Sequence, residues 1–411
     1  MILYCSLYWI SPTLSLILTS FLAFFVLSNA FRKGTVAFYT KDRIYLIYLV
    51  LAFFSGIPNI EAISSFIRFA LYPFLIMIIF QNLTIKTKYY NIIILILAII
   101  LVFIAGLMFF QTGPFRFDFS IHYILKVDRN KGFYFMTDLG RVGPTKLAYI
   151  LATIFILVLS RIKYISKHKI KVYSSIILLI PFILIVAGRN SWIGLFLFIL
   201  IYAYRDYEAE RNFQKYFIFF ALIGIIIVGY LFLEPIISGN TYNRLSLLFE
   251  PFGDNSFLTR LYLWNTALDI IAINPIGVGY NYFVTLYMIS PHNELLAQLM
   301  GAGWLGAFFF ILFYFVVFLD IKKELKVNYS PIHNYINFVA FSLLVINIIA
   351  MMTDNITLSS ETTTYPVLMV VIGLSYSLKN KYLLKTKFDI QNKEDRNSTE
   401  KSILVHNRAT N

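Results

Sequence analysis

Long, nearly uninterrupted runs of hydrophobic residues dominate the chain and predict an all-α protein that crosses a membrane many times. The hydrocarbon core of a bilayer is about 30 Å thick, so a spanning helix needs about 20 apolar residues. Eleven runs reach or approach this length and together use roughly 220 residues. A twelfth span would require splitting the first 28 residues, which are too few. The eleven runs cover residues 8–28, 44–57, 66–82, 91–110, 145–160, 173–187, 191–204, 216–233, 293–319, 335–353 and 363–378.

Composition supports a protein whose body lies in the membrane. Hydrophobic residues make up 59% of the 411 positions and charged residues only 14%, whereas soluble domains carry about 25% charged residues. A water-soluble enzyme is therefore excluded. The single cysteine, Cys5, excludes a disulfide framework and a thiolate metal cluster. The first run lacks a basic leading segment and a small-residue cleavage site, so we interpret it as a retained helix and not a signal peptide.

Positive charge is concentrated in alternate loops, and this predicts the topology. Because cytoplasmic loops retain Lys and Arg, the basic segments are predicted to face the cytoplasm and the N-terminus to lie outside. The polar tail, 379–411, is predicted to be cytoplasmic and disordered. The net charge of +14 then needs no nucleic acid partner, although a basic inner face also attracts anionic membrane lipid. These segments hold 25 of the 35 basic residues and are 29–43, 83–90, 161–172, 205–215, 320–334 and the tail.

Two outward-facing loops of the predicted transmembrane domain, 1–378, are long: 111–144 and 234–292. Loops of this length without low-complexity composition are usually functional or carry structure of their own. The second loop contains a predicted helix at 258–272, which the sequence Asn274-Pro275 ends. A functional site is therefore expected on the outward side.

Arg189 lies in a short turn between two apolar runs of about 15 residues, which at 1.5 Å per residue reach only about 22 Å. The turn is therefore predicted to be recessed below the outer surface, where a guanidinium needs an anionic ligand such as a phosphate. The alternative is an arginine that extends to the lipid headgroups and only fixes topology.

His292 follows Ser290-Pro291, a sequence typical of a helix start with Ser290 as N-cap and Pro291 in the first turn. This predicts His292 in the first turn of the ninth span, at the outer surface. The positive end of the helix dipole favours a neutral imidazole beside a bound anion, and such an imidazole can serve as a general base. From position alone, an interfacial histidine bonded to a headgroup or a loop carbonyl fits equally well.

Motifs for other phosphate chemistry are absent from the sequence. It contains no Gly-x-x-x-x-Gly-Lys-Ser/Thr loop, no His-Glu-x-x-His and no outward Asp-x-Asp pair that would hold a divalent metal. Phosphate chemistry on the outer side is therefore expected to depend on arginines, without a metal or a cofactor.

Three segments in this order resemble motifs of the O-antigen polymerase and ligase family. Gly188–Gly194, with Arg189 and Trp192, resembles that family's Ser-Arg-Gly-Ala-Trp hairpin, although Gly188 and Asn190 replace its serine and glycine. Arg260 and Trp264, then Asn274–Gly279, resemble its arginine and tryptophan stretch followed by Pro-x-x-Gly-x-Gly. Pro291–Leu296, followed by Gly301, Gly303 and Gly306, resembles its His-Asn motif and glycine-containing helix. The resemblance is strongest over residues 185–310.

The resemblance implies a multi-pass glycosyltransferase of the bacterial inner membrane whose active site faces the periplasm. Such proteins move a glycan from an undecaprenyl diphosphate carrier to a sugar hydroxyl, and a chain-length regulator and a flippase are implied partners. The hypothesis assigns binding of the diphosphate to Arg189 and Arg260 and the role of general base to His292. The further substrate contacts that we predict are Arg68, Arg116, Arg141, Trp192, Trp264, Asn293 and Glu294.

The acceptor separates two activities within the family: a polymerase extends a carrier-linked repeat unit, whereas a ligase transfers the glycan to lipid A core. The outward residues carry no net positive charge that would dock a phosphorylated core, which favours the polymerase. A polysaccharide-related transporter is a rival from another class, and it predicts broken helices, inverted repeats and charged residues near the membrane midplane.

Overall fold

The computed structural model describes the larger part of the hydrophobic runs and part of the second long outward loop. Secondary structure is helical throughout these ranges and includes no strand, which confirms the predicted all-α class for them. The described residues are 12–32, 34, 36–57, 60–83, 86–111, 144–165, 197–202, 255–280, 282–287, 291–327, 329–353 and 365–384.

The helices are numbered in chain order. They are α1 Pro12–Arg32, α2 Thr40–Gly56, α3 Ile60–Phe66, α4 Tyr72–Gln81, α5 Thr87–Gln111, α6 Pro144–Tyr164, α7 197–202, α8 Asn255–Ile273, α9 Tyr282–Tyr287, α10 Glu294–Glu324, α11 Pro331–Thr353 and α12 Tyr365–Leu384. A π-helical turn, Ile67–Leu71, joins α3 to α4.

Five of the described helical segments are long and apolar enough to cross a membrane. They coincide with the third, fourth, ninth, tenth and eleventh predicted runs, and α1, α2 and α6 overlap the first, second and fifth. The sixth and eighth runs and most of the seventh lie outside the described residues, so the total of eleven spans stays a prediction. The five segments are Ala62–Gln81, Thr87–Ala105, Glu294–Glu324, Pro331–Met352 and Tyr365–Leu384.

The last helix, α12, is longer than the sequence predicts. It continues to Leu384, six residues beyond the expected end at 378, so residues 379–384 are helical and not part of a polar tail. Residues 385–411 lie outside the described ranges.

Helices α2 and α10 pack side by side and antiparallel. From the N-terminal towards the C-terminal end of α10, Gly306 lies against Leu51, the Phe310 ring packs on Tyr48 and the Phe313 ring packs on Tyr45. Since residue numbers rise along one helix as they fall along the other, the C-terminal end of α2 lies beside the N-terminal part of α10, and the predicted topology assigns both of these ends to the outer side. This pairing fixes the position of α10, and the His-Asn motif lies directly before the first residue of that helix.

A buried polar cluster lies at the opposite end of this helix pair, at the start of α2. Lys41 and Asp42 are fully buried and form an ion pair. The Lys41 ammonium also donates to Gln81 at 2.5 Å and lies 4.2 Å from the centre of the Tyr376 ring. Gln81 in turn donates to Asp42 at 2.8 Å. The sequence places these charges in a cytoplasmic connection, whereas the structure uses them to join α2, α4 and α12.

Candidate functional site

A single hydrogen bond connects two of the motif-bearing segments. The indole Nε1 of Trp264, on α8, donates to the carbonyl oxygen of Pro291 at 2.7 Å. Pro291 directly precedes His292, and Arg260 lies one helical turn before Trp264 on the same face of α8. The arginine and tryptophan stretch and the His-Asn motif therefore belong to one structural unit.

Helix α8 spans Asn255–Ile273, so the helix predicted at 258–272 is confirmed. One face carries Leu263, Ala267 and Ile271, which are spaced by four residues and buried. These side chains pack against Leu296 and Leu299 of α10 and the neighbouring apolar residues. Arg260 and Trp264 flank this buried face and are half-buried. Burial of the apolar face thus holds the two side chains at the edge of the α8 and α10 contact.

Helix α10 is broken at Gly303, where φ is 71° and ψ is −177°. In a continuous helix the Trp304 amide would donate to the Met300 carbonyl. Here the Met300 carbonyl accepts from the Val278 amide at 2.7 Å, and the Trp304 amide donates to the Pro275 carbonyl at 3.0 Å. The break leaves the Met300 carbonyl and the Trp304 amide without their helical hydrogen bond, and the turn after α8 supplies a partner for each.

The glycines of this turn are required by close backbone contacts. A Cβ atom on Gly277 would lie 2.6 Å from the Gly303 nitrogen, and one on Gly279 would lie 2.7 Å from the Ala62 Cβ. Both glycines have positive φ, 96° and 84° respectively. Taken alone, two glycines after a proline usually indicate only a loop; the structure assigns them a docking role between α3 and α10.

The predicted N-cap of the ninth span, Ser290, is wrong by three residues. Helix α10 begins at Glu294 and not at Ser290-Pro291, and its N-cap is Asn293, whose side-chain oxygen accepts from the Leu296 amide at 3.1 Å. His292 therefore precedes the helix. It is half-buried and has a φ of 50°, a left-handed conformation that His tolerates better than most residues.

Asn293 and Glu294, two of the predicted substrate contacts, face the protein interior. The Asn293 amide donates to the Met352 carbonyl at the end of α11 at 3.1 Å, in addition to the cap bond. Glu294 is fully buried and accepts from Gln298 at 2.6 Å. The Gln298 oxygen accepts from Tyr48 at 2.7 Å and from Tyr280 at 2.6 Å. This polar network begins at Glu294, two residues after His292 in the chain.

No motif in the sequence singles out the two tyrosines of this network. Tyr48 and Tyr280 are fully buried and are bonded to each other as well as to Gln298. Both rings look like ordinary core residues in the sequence, because their partner lies about 250 positions from Tyr48 along the chain. Only a contact between α2, the turn after α8 and α10 identifies them.

Arg68, the third-span arginine, lies in the π-helical turn and is exposed. The Tyr72 amide bonds the Ile67 carbonyl, a spacing of five residues that defines the turn. Pro73 explains the wider turn, because its ring excludes the carbonyl of the residue four positions earlier. Arg68 belongs to the same helical segment as Ala62, which contacts Gly279. The structure therefore connects Arg68 to the glycine turn through α3.

Several predicted site residues lie outside the described residues. They are Arg116, Arg141, Arg189 and Trp192. The structure thus brings together the segments of Arg260, Trp264, His292, Asn293 and Glu294, and connects that of Arg68 through Ala62.

Comparison with known families identifies the segment that carries these motifs. Residues 174–311 match the family model described as O-antigen ligase. The predicted resemblance to this family is confirmed. The match covers about a third of the chain and includes Arg189, Arg260 and His292. No curated protein matches the chain.

Family membership of this segment sets the general class of activity. The O-antigen ligase family consists of glycosyltransferase-type membrane enzymes, both ligases and polymerases. Five described segments are able to cross a membrane, which indicates a multi-pass membrane protein. The contacts of Trp264, Val278 and Trp304 all lie inside the matched segment.

Proposed function

We propose that the protein is a polysaccharide polymerase of the bacterial inner membrane. It would transfer a glycan from undecaprenyl diphosphate to a sugar hydroxyl of a carrier-linked repeat unit, on the periplasmic face. The observation that carries this proposal is the Trp264 to Pro291 hydrogen bond, because it joins the segment of Arg260 to the segment of His292. A lipid diphosphate is already an activated donor, so the reaction needs no nucleotide on that side.

The proposed step exchanges one bond at the anomeric carbon for another. The acceptor oxygen forms a bond to this carbon while the bond to the phosphate oxygen breaks, and undecaprenyl diphosphate leaves as an anion. Arg260 and Arg189 would stabilise the charge that develops on the diphosphate. The His292 imidazole would accept the proton of the attacking hydroxyl. No metal takes part in this proposal.

The remaining predicted residues take supporting roles in the proposal. Arg68, Arg116 and Arg141 would contact phosphate, and Trp192 and Trp264 would form a wall beside the sugar. Asn293 and Glu294 would hold the His292 turn in place, since their side chains bond Leu296, Met352 and Gln298. They would act on the substrate only through His292.

A ligase is the second candidate, and the description of the matching family favours it, since it names an O-antigen ligase. A ligase would use the same arginines and histidine but accept lipid A core. The polymerase remains our proposal because the predicted outward residues carry no net positive charge to dock a phosphorylated core.

A transporter is less well supported, even though α10 contains the broken helix that this rival predicts. In transporters, unwound backbone at a helix break lines a substrate or ion site. Here the carbonyl of Met300 and the amide of Trp304 are both bonded to the turn at Pro275–Val278. The break is filled by protein and offers these two groups to no ligand.

The experiment compares Arg260→Ala, Arg189→Ala and His292→Ala with Arg32→Ala, an exposed arginine on α1, by surface polysaccharide length at equal membrane abundance. Loss of a positioned base costs about 10² to 10⁴ in rate and loss of one charge-stabilising donor about 10² to 10³, so the first three variants should lose long chains while Arg32→Ala keeps them. Normal chains in all three would refute the proposal. In a deletion strain, single repeats on the core indicate a polymerase, whereas carrier-linked long chains indicate a ligase.

A further inference from the structure

The turn that follows α8 exposes two isoleucines to an unusual degree. Ile273 is 81% exposed and Ile276 is 76% exposed, although both lie in an outward loop that the sequence assigns to water. We call Ile273–Ile276 the α8 tip. The same tip contains Asn274, which ends the helix, and Pro275.

The exposure of these side chains is fixed by the backbone. The Gly277 amide donates to the Asn274 carbonyl at 2.9 Å, which closes the turn. The Pro275 carbonyl accepts from Trp304, and a Cβ atom on Gly303 would lie 2.4 Å from the Ile276 carbonyl carbon. The tip therefore cannot fold its isoleucines inward without losing its contacts to α10.

The α8 tip contacts α10 at the residue where an exposed apolar stripe of that helix begins. After the break, α10 exposes a stripe of large apolar side chains at helical spacing, and the stripe begins at Trp304, the residue that bonds Pro275. A stripe of this kind on a helix able to cross a membrane faces acyl chains. Its members are Trp304, Leu305, Phe308, Ile311, Phe315 and Leu319, each 46 to 57% exposed.

The sequence around the tip contains no charge that would resist immersion. Between Asp269 and Glu294 lie 24 residues without a single Asp, Glu, Lys or Arg. Charged side chains are costly in hydrocarbon and are rare in lipid-facing positions. Asp269, one helical turn before Ile273, is exposed and marks the nearest charge on α8. The change from charged to uncharged residues thus falls between Asp269 and Ile273.

We propose that the α8 tip lies in the bilayer leaflet nearest the N-terminal end of α10, with Ile273 and Ile276 in contact with lipid acyl chains. The outward loop is then anchored in the membrane beside the segment that carries Arg260 and His292. This inference rests on the membrane location of α10 and not on the proposed transferase reaction.

Site-directed spin labelling of the full-length protein tests the proposal. Because Cys5 is the only cysteine, a Cys5→Ser background allows single cysteines at 273, 276, 269 and 315. Each variant carries a nitroxide label in vesicles of phosphatidylethanolamine and phosphatidylglycerol. The measurement compares relaxation of the label by oxygen, which dissolves in hydrocarbon, with relaxation by a water-soluble nickel chelate. The labels on Asp269→Cys and Phe315→Cys serve as the water-facing and lipid-facing references.

The expected result is that oxygen exceeds the nickel chelate at 273, 276 and 315, and that the order reverses at 269. Stronger relaxation by nickel at both 273 and 276 would place the tip in water and overturn the proposal. Weak relaxation by both reagents at these positions would indicate a contact with another protein copy and would overturn it equally. The result is independent of transferase activity, so its failure and that of the proposed function are distinguishable.

Discussion

Gly277 lies so close to Gly303 that a Cβ atom added to Gly277 would come within 2.6 Å of the Gly303 nitrogen. The two glycines are 26 residues apart in sequence, one in the turn after α8 and the other at the break of α10. Their contact allows Val278 and Pro275 to bond the helix backbone at the break. The geometry of the proposed site therefore depends on two backbones that meet without side chains between them.

Gly303→Ala should destabilise the fold strongly. The new methyl group would overlap the Ile276 carbonyl, and φ of 71° with ψ of −177° strains a residue with a side chain. Strain of this kind costs about 1 to 3 kcal/mol before any overlap is counted, so the total should exceed about 3 kcal/mol. The unfolding temperature of the purified protein in detergent measures the loss.

The matched control for this variant is Gly34→Ala. Gly34 also has positive φ, at 60°, but an added Cβ would meet no atom within 4 Å. The Gly34→Ala variant should therefore lose only the stability that the left-handed backbone conformation costs, about 1 to 2 kcal/mol. Equal losses at Gly34 and Gly303 would mean that the contact with Ile276 contributes nothing.

Trp264→Phe should reduce polysaccharide transfer more than it reduces stability. The substitution keeps most of the ring but removes the Nε1 donor, which leaves the buried Pro291 carbonyl without this bond. An unsatisfied buried acceptor costs about 1 to 3 kcal/mol of stability. The turn that carries His292 also loses its hydrogen bond to α8. Chain length on the cell surface and the unfolding temperature measure the two effects.

Trp304→Phe provides the comparison, because Trp304 is 55% exposed on the lipid-facing stripe and makes its bond to Pro275 through the backbone. This variant should keep normal chain length. If both tryptophan variants behave alike, the indole bond to Pro291 does not organise the site.

Asn293→Ser should be better tolerated than Asn293→Ala. Serine can still accept the Leu296 amide as an N-cap, whereas alanine cannot, and loss of a cap costs about 1 kcal/mol. Both variants lose the bond to the Met352 carbonyl. Thermal unfolding should therefore rank the wild type above Asn293→Ser and Asn293→Ser above Asn293→Ala. Equal stability of the two variants would refute the cap role.

Lys41→Met should lower stability while leaving the chemistry of the outer site intact. The fully buried Asp42 would lose its cationic partner, and breaking a buried pair in this way costs about 3 to 5 kcal/mol. Adding Asp42→Asn, which removes the uncompensated charge, should restore part of the loss. The exposed Lys88→Met serves as control and should change stability by less than about 1 kcal/mol. A double variant no more stable than Lys41→Met would contradict this account.

Hydrophobic runs predicted most of the described helices, because a membrane helix must be apolar along its whole length. The helix at 258–272 was also predictable, since its apolar positions recur at helical spacing and Asn274-Pro275 ends it. Local sequence carries these signals. The glycines of the turn were also visible in the sequence. Their contacts with α3 and α10 were not predictable, because a local pattern does not indicate which distant residues it will meet.

The helix start at Glu294 was missed for a related reason. Ser290 and Asn293 are both good N-cap residues, three positions apart. The structure uses Asn293, which also bonds Met352 across to α11, while His292 takes a φ of 50°. Burial of Lys41 and Asp42 was missed because, in the sequence, they are only two charges in a predicted inner connection. Two adjacent opposite charges do not indicate that Gln81 and Tyr376 will surround them.

The filled break in α10 has a mechanical consequence. Pro275 and Val278 are bonded to the helix on either side of Gly303 and Trp264 is bonded to Pro291, so three hydrogen bonds join α8 and the turn after it to the N-terminal part of α10. Movement of Arg260 relative to His292 would require breaking several of these bonds at once. Because Val278 bonds Met300 before the break and Pro275 bonds Trp304 after it, α10 cannot bend at Gly303 without losing one of these bonds. The broken helix is therefore braced at the position where a glycine would otherwise act as a hinge.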